Sequence, residues 1–268
     1  MSATAVSAGE QRIAAAFASA REDGRRAAVM PYLMGGFPDL GGSCAIGEAY
    51  ADGGADLVEL GIPFSDPLAD GPVIQAAGTR ALAAGATVGG VLEVAQALAH
   101  RLPVVVMCYA NMVLALGPRR FAGRIASAGA AGAIVPDLPL EESGEVREAL
   151  AEKGLALAPL LAPTTPRERR RRICATASGF VYVVSDVGVT GEREQVPASL
   201  AELVRDVRAA ASVPTAVGFG IGTPQQAAAV GAVADGVIIG SRLVRMAEED
   251  PAGIPLFLRG TREALAAR

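Results

Sequence analysis

Leu57-Val58-Glu59-Leu60, continued by Gly61-Ile62-Pro63-Phe64-Ser65-Asp66-Pro67-Leu68-Ala69-Asp70-Gly71-Pro72, sets one carboxylate inside an apolar run and then breaks the run with glycine and proline. The run reads as a short strand buried on both faces, because the branched Val58 and the leucines leave no polar side. Strand alternation puts Leu57 and Glu59 on one face and Val58 and Leu60 on the other. A carboxylate there loses hydration, and it responds by holding its proton more tightly. Glu59 is therefore a candidate proton carrier. A bond to a nearby backbone amide or arginine would account for it equally well, without any function.

Outward from this stretch, short β-branched runs alternate with amphipathic ones. Strands are predicted at 28–33, 56–60, 104–107, 132–135, 155–160, 179–184, 215–217 and 236–239, with helical patterns between them. The clearest of these places Leu200, Leu203, Val204 and Val207 at helical spacing. Eight strands, each followed by a helix, with no Ser- or Pro-rich linker in 268 residues, predict an α/β fold. Specifically they predict a single (β/α)8 TIM barrel domain over 1–268. Ala14–Ala20, between Glu10 and Arg21-Glu22-Asp23, adds an N-terminal helix. The alternative is a doubly wound open sheet, but Met34-Gly35-Gly36-Phe37-Pro38 after the first strand does not match its Gly-x-Gly-x-x-Gly turn. In a barrel, strand C-termini face the active site, which places Glu59 at the mouth and pointing inward.

Bulk properties narrow the chemistry. The chain is 51% hydrophobic and only 4% aromatic, so small aliphatic side chains must fill the core. A net charge of −4 argues against nucleic acid, and the basic run Arg167-Glu168-Arg169-Arg170-Arg171-Arg172 reads as the exposed start of a helix after Pro166. Cys44, Cys108 and Cys174 form no C-x-x-C pair, which suits a reducing cytoplasm and offers no zinc site. His100 is the only histidine, so Ser-His-Asp hydrolysis and histidine-ligated metal catalysis lack their residues. No metal site is expected. The uncharged stretch 209–234 is interrupted by Pro214, Pro224 and glycines, so no membrane span is expected.

Two glycine clusters carry a second signal. Gly218-Phe219-Gly220-Ile221-Gly222 follows the seventh strand, and Gly240-Ser241 follows the eighth and opens a helix. Glycine lets backbone approach an anion, and amides at a helix N-terminus point donors at it. TIM barrels often bind phosphate with these two loops. Gly188-Val189-Thr190-Gly191 lies in a polar loop, 185–197, of lid length.

Together these features resemble the tryptophan synthase α subunit family. The 59–72 motif closely resembles its signature. Tyr109-Ala110-Asn111, Asp137-Leu138-Pro139, Tyr182, Gly188–Gly191 and Gly218–Ile221 follow in the same order and position. The resemblance implies retro-aldol cleavage of indole-3-glycerol phosphate to indole and glyceraldehyde 3-phosphate. It implies that Glu59 is the acid/base carboxylate, and that Asp70 stabilises positive charge at the indole N–H. Tyr182 would orient substrate, and Gly191, Gly220, Gly240 and Ser241 would bind phosphate, mostly through amides. The implied partner is a β subunit, in an α2β2 tetramer, with Asp66 on the surface that meets it. Pyridoxal phosphate would belong to that partner, leaving this chain without a cofactor. Asp137 is expected to tie its own loop to the 61–72 loop. Met34, Phe37, Asp186 and Gly222 depart from residues common in the family, which leaves loop-six closure and phosphate affinity open. Two other readings remain: a chiefly non-catalytic activator of the β subunit, against which Glu59 and Asp70 stand, and a phosphate-sugar isomerase, whose metal-dependent forms need more histidines.

Overall fold

Apolar runs without a polar face leave their buried backbone groups one good partner, a neighbouring strand. The computed structural model, which describes residues 6–184, 196–218 and 220–266, joins these runs into one all-parallel sheet. Among the described residues there are nine strand segments. They are β1 Ala28–Met34, β2 Val58–Gly61, β3 Val104–Met107, β4 Gly132–Ile134, β5 Ala156–Leu157, β6 Leu160–Leu161, β7 Val181–Val184, β8 Thr215–Gly218 and β9 Gly236–Ile239. They are ordered β5-β4-β3-β2-β1-β9-β8-β7-β6.

The strand expected over 155–160 is thus two pieces, β5 and β6. Pro159 has no amide to offer a ladder and interrupts it. Its carbonyl still accepts from the Tyr182 amide at 2.9 Å, while the Ala158 amide donates to Ala133 at 3.0 Å. This interrupted fifth strand therefore bonds β4 on one side and β7 on the other. The sheet closes on itself as a (β/α)8 barrel, which excludes the open doubly wound sheet.

Alternation sorts the strand side chains as expected. Leu57, Val105, Ile134, Ala216 and Ile238 fill the barrel, whereas Val58, Leu60, Val106, Val217 and Ile239 pack against the surrounding helices. The N-terminal helix Ala8–Glu22 is fixed by a reciprocal capping box between Ser7 and Glu10. It inserts Ile13, Phe17 and Ala20 into the inner cluster, with Phe17 6.1 Å from the ring of Phe180. Arg12 donates to the carbonyls of Gly129 and Ala99 at 2.7 and 2.6 Å, tying this helix to the starts of β4 and β3. The helix therefore stoppers the end of the barrel opposite the mouth. Phe17→Ala should destabilise the chain by about 3–5 kcal/mol, the range for deleting a buried ring. A urea melt would show this as a lower midpoint at unchanged slope. A loss below about 1 kcal/mol would mean that the helix lies outside the cooperative core.

Two helices follow β9, Ser241–Glu249 and Ile254–Leu265. The second ends at the closed side, where the Arg26 amide bonds the Leu265 carbonyl at 2.9 Å. Ser241–Glu249 is therefore an extra short helix at the mouth, the element that many barrels use to receive phosphate. The basic run forms the helix Arg167–Cys174. Its cations are largely matched within the chain: Arg169 grips Glu141 with two bonds of 2.9 and 2.7 Å, and Arg167 and Arg170 lie beside Asp206. No single helix among the described residues is long and apolar enough to cross a membrane.

Candidate active site

The carboxyl ends of the strands surround a cavity of about 530 Å³. Glu59, Asp70, Tyr182, Gly220, Gly240 and Ser241 all line it. Gly191, with the rest of 185–195, lies outside the described residues.

Glu59 sits opposite Tyr32 of β1 and Val105 of β3 and is 1% exposed. Its Oε2 has no hydrogen-bond partner among the described residues, which removes the reading of a carboxylate satisfied by an amide or arginine. Burial, reinforced by the nearby charge of Asp70, pushes its pKa up to about 8. A carboxyl in that range is mostly protonated at neutral pH and can both give and take a proton.

Asp70 arrives on the loop between β2 and the helix Pro72–Ala83 and is half-buried. Burial raises its pKa, and the Tyr109 hydroxyl beside it pulls it back. The same hydroxyl accepts the Ala69 amide at 3.1 Å, and the Tyr109 ring stacks on Phe64 at 5.4 Å. Contrary to the expectation from the sequence, Asp137 forms no hydrogen bond with the 61–72 loop. Its Oδ1 accepts the Ala110 amide at 2.8 Å and so braces the segment that carries Tyr109. The link between the two loops is indirect, running from Asp137 through Tyr109 to Ala69. A contact of this kind depends on how three loops meet, which no local pattern records.

Two tyrosines shape the cavity floor, each by leaning over a glycine of the next strand. A Cβ on Gly61 would lie 2.1 Å from the Tyr32 hydroxyl, and one on Gly218 would lie 2.3 Å from that of Tyr182. Any larger residue at either glycine would evict the ring. Sequence reasoning found Tyr182 but missed Tyr32, although its inward phase, shared with Met30, was the available signal.

Another part of the cavity lining is built from backbone. Gly220 has φ +76°, a left-handed conformation that glycine adopts freely. Gly240 is the N-cap of Ser241–Glu249, and no side chain caps that helix. By contrast, Thr223 caps the neighbouring helix Pro224–Gly231 through the Gln226 amide. The first-turn amides of Ser241–Glu249 thus face the cavity without a side-chain acceptor, the arrangement of an anion site. Arg242 and Arg245 line the same region and were also missed. Among the described residues, no group of three or more His, Cys, Asp or Glu side chains could hold a metal ion.

A closed parallel barrel with a buried carboxyl and an uncapped helix N-terminus in one mouth cavity has the make-up of a (β/α)8-barrel enzyme. A family model described as tryptophan synthase alpha chain matches residues 17–260. A tryptophan synthase alpha chain of Carboxydothermus hydrogenoformans is 48% identical over 239 residues, covering 88% of this chain and 89% of that one. A solved tryptophan synthase of Mycobacterium tuberculosis superposes with a TM-score of 0.90 at 36% identity, covering 96% of this chain and 99% of that one. The tryptophan synthase α2β2 complex of Pyrococcus furiosus, described in terms of mutual activation, superposes with a TM-score of 0.81 at 34% identity, covering 90% and 98%. The chain belongs to the tryptophan synthase alpha chain family.

Proposed function

We infer that this chain, as one domain, is the α subunit of a tryptophan synthase, cleaving indole-3-glycerol phosphate and passing indole to a β subunit in an α2β2 tetramer. The observation that carries the reading is Glu59, a buried carboxyl with an unpartnered oxygen facing a cavity that also holds Asp70. Indole is a poor carbanion, so its C3 must gain a proton before the carbon–carbon bond breaks. Protonated Glu59 gives that proton, leaving positive charge on the indole nitrogen. Asp70, as carboxylate, offsets the charge at the N–H. Glu59, now ionised, takes the proton of the side-chain hydroxyl as the bond breaks and the aldehyde forms. Indole leaves neutral, and Glu59 is again protonated. Tyr182 orients the substrate. Gly191, Gly220, Gly240 and Ser241 hold the phosphate.

The chain needs no cofactor of its own for this cleavage, and pyridoxal phosphate belongs to the β subunit. We place the protein in the cytoplasm, in keeping with its unpaired cysteines. A purely regulatory role would need neither carboxylate of the cavity. The direct test is incubation with indole-3-glycerol phosphate, with and without a β subunit, while indole release is followed. Slow release by the isolated chain and faster release with the β subunit are expected, because the loop bearing Asp70 also presents a partner surface. On that loop Asp66 is exposed, and Leu68 is 84% exposed. Asp66→Ala should keep the basal rate and weaken the stimulation. Equal stimulation of both proteins would show that Asp66 carries no coupling, and no indole at all would refute the reading.

A further inference from the structure

Phosphate is a dianion near neutral pH, whereas the amides of Gly220, Gly240 and Ser241 offer only partial charges. Two full positive charges line the same cavity, Arg242 and Arg245, one helical turn apart at the start of Ser241–Glu249. Neither forms a salt bridge or a side-chain hydrogen bond with any described residue. That is unusual for this chain, whose arginines mostly find acids or carbonyls, as Arg80 does with Glu248 on this very helix. The positions one turn beyond Arg242 are Arg245 and Met246, so its own helix offers it no acid there.

Arg242 is the more constrained of the two. Its Nε is buried without a hydrogen-bond partner, and its guanidinium lies over the Phe257 ring, 5.8 Å from the centroid. Stacking on a ring fixes the plane of a guanidinium and leaves its in-plane N–H groups to find acceptors elsewhere. A buried donor without an acceptor is uncommon in folded chains, and this one belongs to a side chain that lines the cavity, where a bound anion can supply the acceptor. That acceptor is not a site carboxylate: neither arginine forms a hydrogen bond or salt bridge with Glu59 or Asp70, and Glu59 Oε2 is itself without a partner among the described residues. The cavity lining thus carries acid groups and cations that do not neutralise one another. A substrate that carries both a phosphate and an N–H needs both signs of charge in one cavity.

We propose that Arg242 is a substrate-binding residue that clamps the phosphate through its planar fork, adding full charge to the backbone cradle, with Arg245 attracting the dianion from the exposed rim. This rests on the phosphate reading of the glycine loops. A fork of paired N–H donors matches phosphate oxygens better than an ammonium does, so Arg and Lys are not equivalent here. Because the contact is made to a group that does not react, it should serve binding rather than the chemical step.

The test uses the full chain with glycerol phosphate as probe, by calorimetry, together with cleavage kinetics on indole-3-glycerol phosphate. Arg242→Met, which keeps the stem packed on Phe257, should weaken probe binding about 10- to 100-fold, the scale of a lost charged hydrogen bond. KM should rise by a similar factor with kcat nearly kept. Arg242→Lys should recover only part of the affinity, and Arg245→Met should lose less than Arg242→Met. Added salt should weaken the wild type more steeply than Arg242→Met. Gly240→Val separates the two readings, since its Cβ would already lie 3.3 Å from the end of Ile74 and its branches would invade the cradle. Lost binding in Gly240→Val with normal binding in Arg242→Met would overturn the clamp alone. Normal binding in both would remove the phosphate site from these loops altogether. If Arg242→Met failed to fold, Arg242→Lys at full wild-type affinity and salt dependence would overturn the fork.

Discussion

Glu59→Gln is expected to lower the rate of indole release by about 10²–10⁴ while substrate affinity stays close to wild type, as for a lost general acid–base group. Glutamine keeps the size and hydrogen-bonding capacity of the side chain and removes only the titrating proton. The pH profile should discriminate further. With a pKa of about 8, Glu59 is protonated at neutral pH, as a group that must first give a proton to C3 has to be. Wild-type turnover should therefore fall as pH rises through about 8, and the residual activity of Glu59→Gln should lack that limb. Stability gives an independent reading. Between the ordinary 4.5 and about 8, the folded chain keeps a proton that the unfolded chain has released. Stability contributed by this group is thus complete below 4.5 and declines as pH rises towards about 8, and Glu59→Gln should flatten that decline. Near-normal turnover in the purified variant would refute the assignment.

How far the sequence could be read depended on whether a signal was local. Glu59 was legible because a charge within an apolar run is costly and alternation assigns its face. The parallel barrel was legible because every strand is followed by enough residues for a crossover. Pro159 was visible in the fifth strand, yet its consequence, two pieces each bonded to a different neighbour, depends on β4 and β7 flanking it. Tyr32 was hidden for a related reason. β1 is buried along its whole length, so nothing in its composition separates a residue lining the cavity from one packing the core. Arg242 was hidden because an arginine early in a helix reads as a solvated side chain. Only the cavity, the Phe257 ring and the missing acceptor set it apart.

Asp70→Asn should cut turnover by about 10²–10³, the scale for removing one preorganised electrostatic contact to a developing charge, with glycerol phosphate affinity little changed. Asparagine can still accept an N–H from indole, so what is lost is the negative charge on the carboxylate. That charge is poised between two influences: burial raises the pKa of Asp70 and the Tyr109 hydroxyl lowers it. Asp70 must be ionised to act, so wild-type turnover should fall on the acid side along a limb lying above the ordinary 3.8. Asp70→Asn should lack this limb. Tyr109→Phe should move it to still higher pH, because the substitution removes the lowering influence and leaves the burial. It should also slow cleavage less than Asp70→Asn, since the Ala69 amide loses its acceptor but the stacking on Phe64 remains. The two variants separate a charge from a scaffold. If Asp70→Asn weakened phosphate affinity as much as it slowed cleavage, the carboxylate would be shaping the loop. If Tyr109→Phe left the acid limb where it was, the hydroxyl would not be holding Asp70 ready.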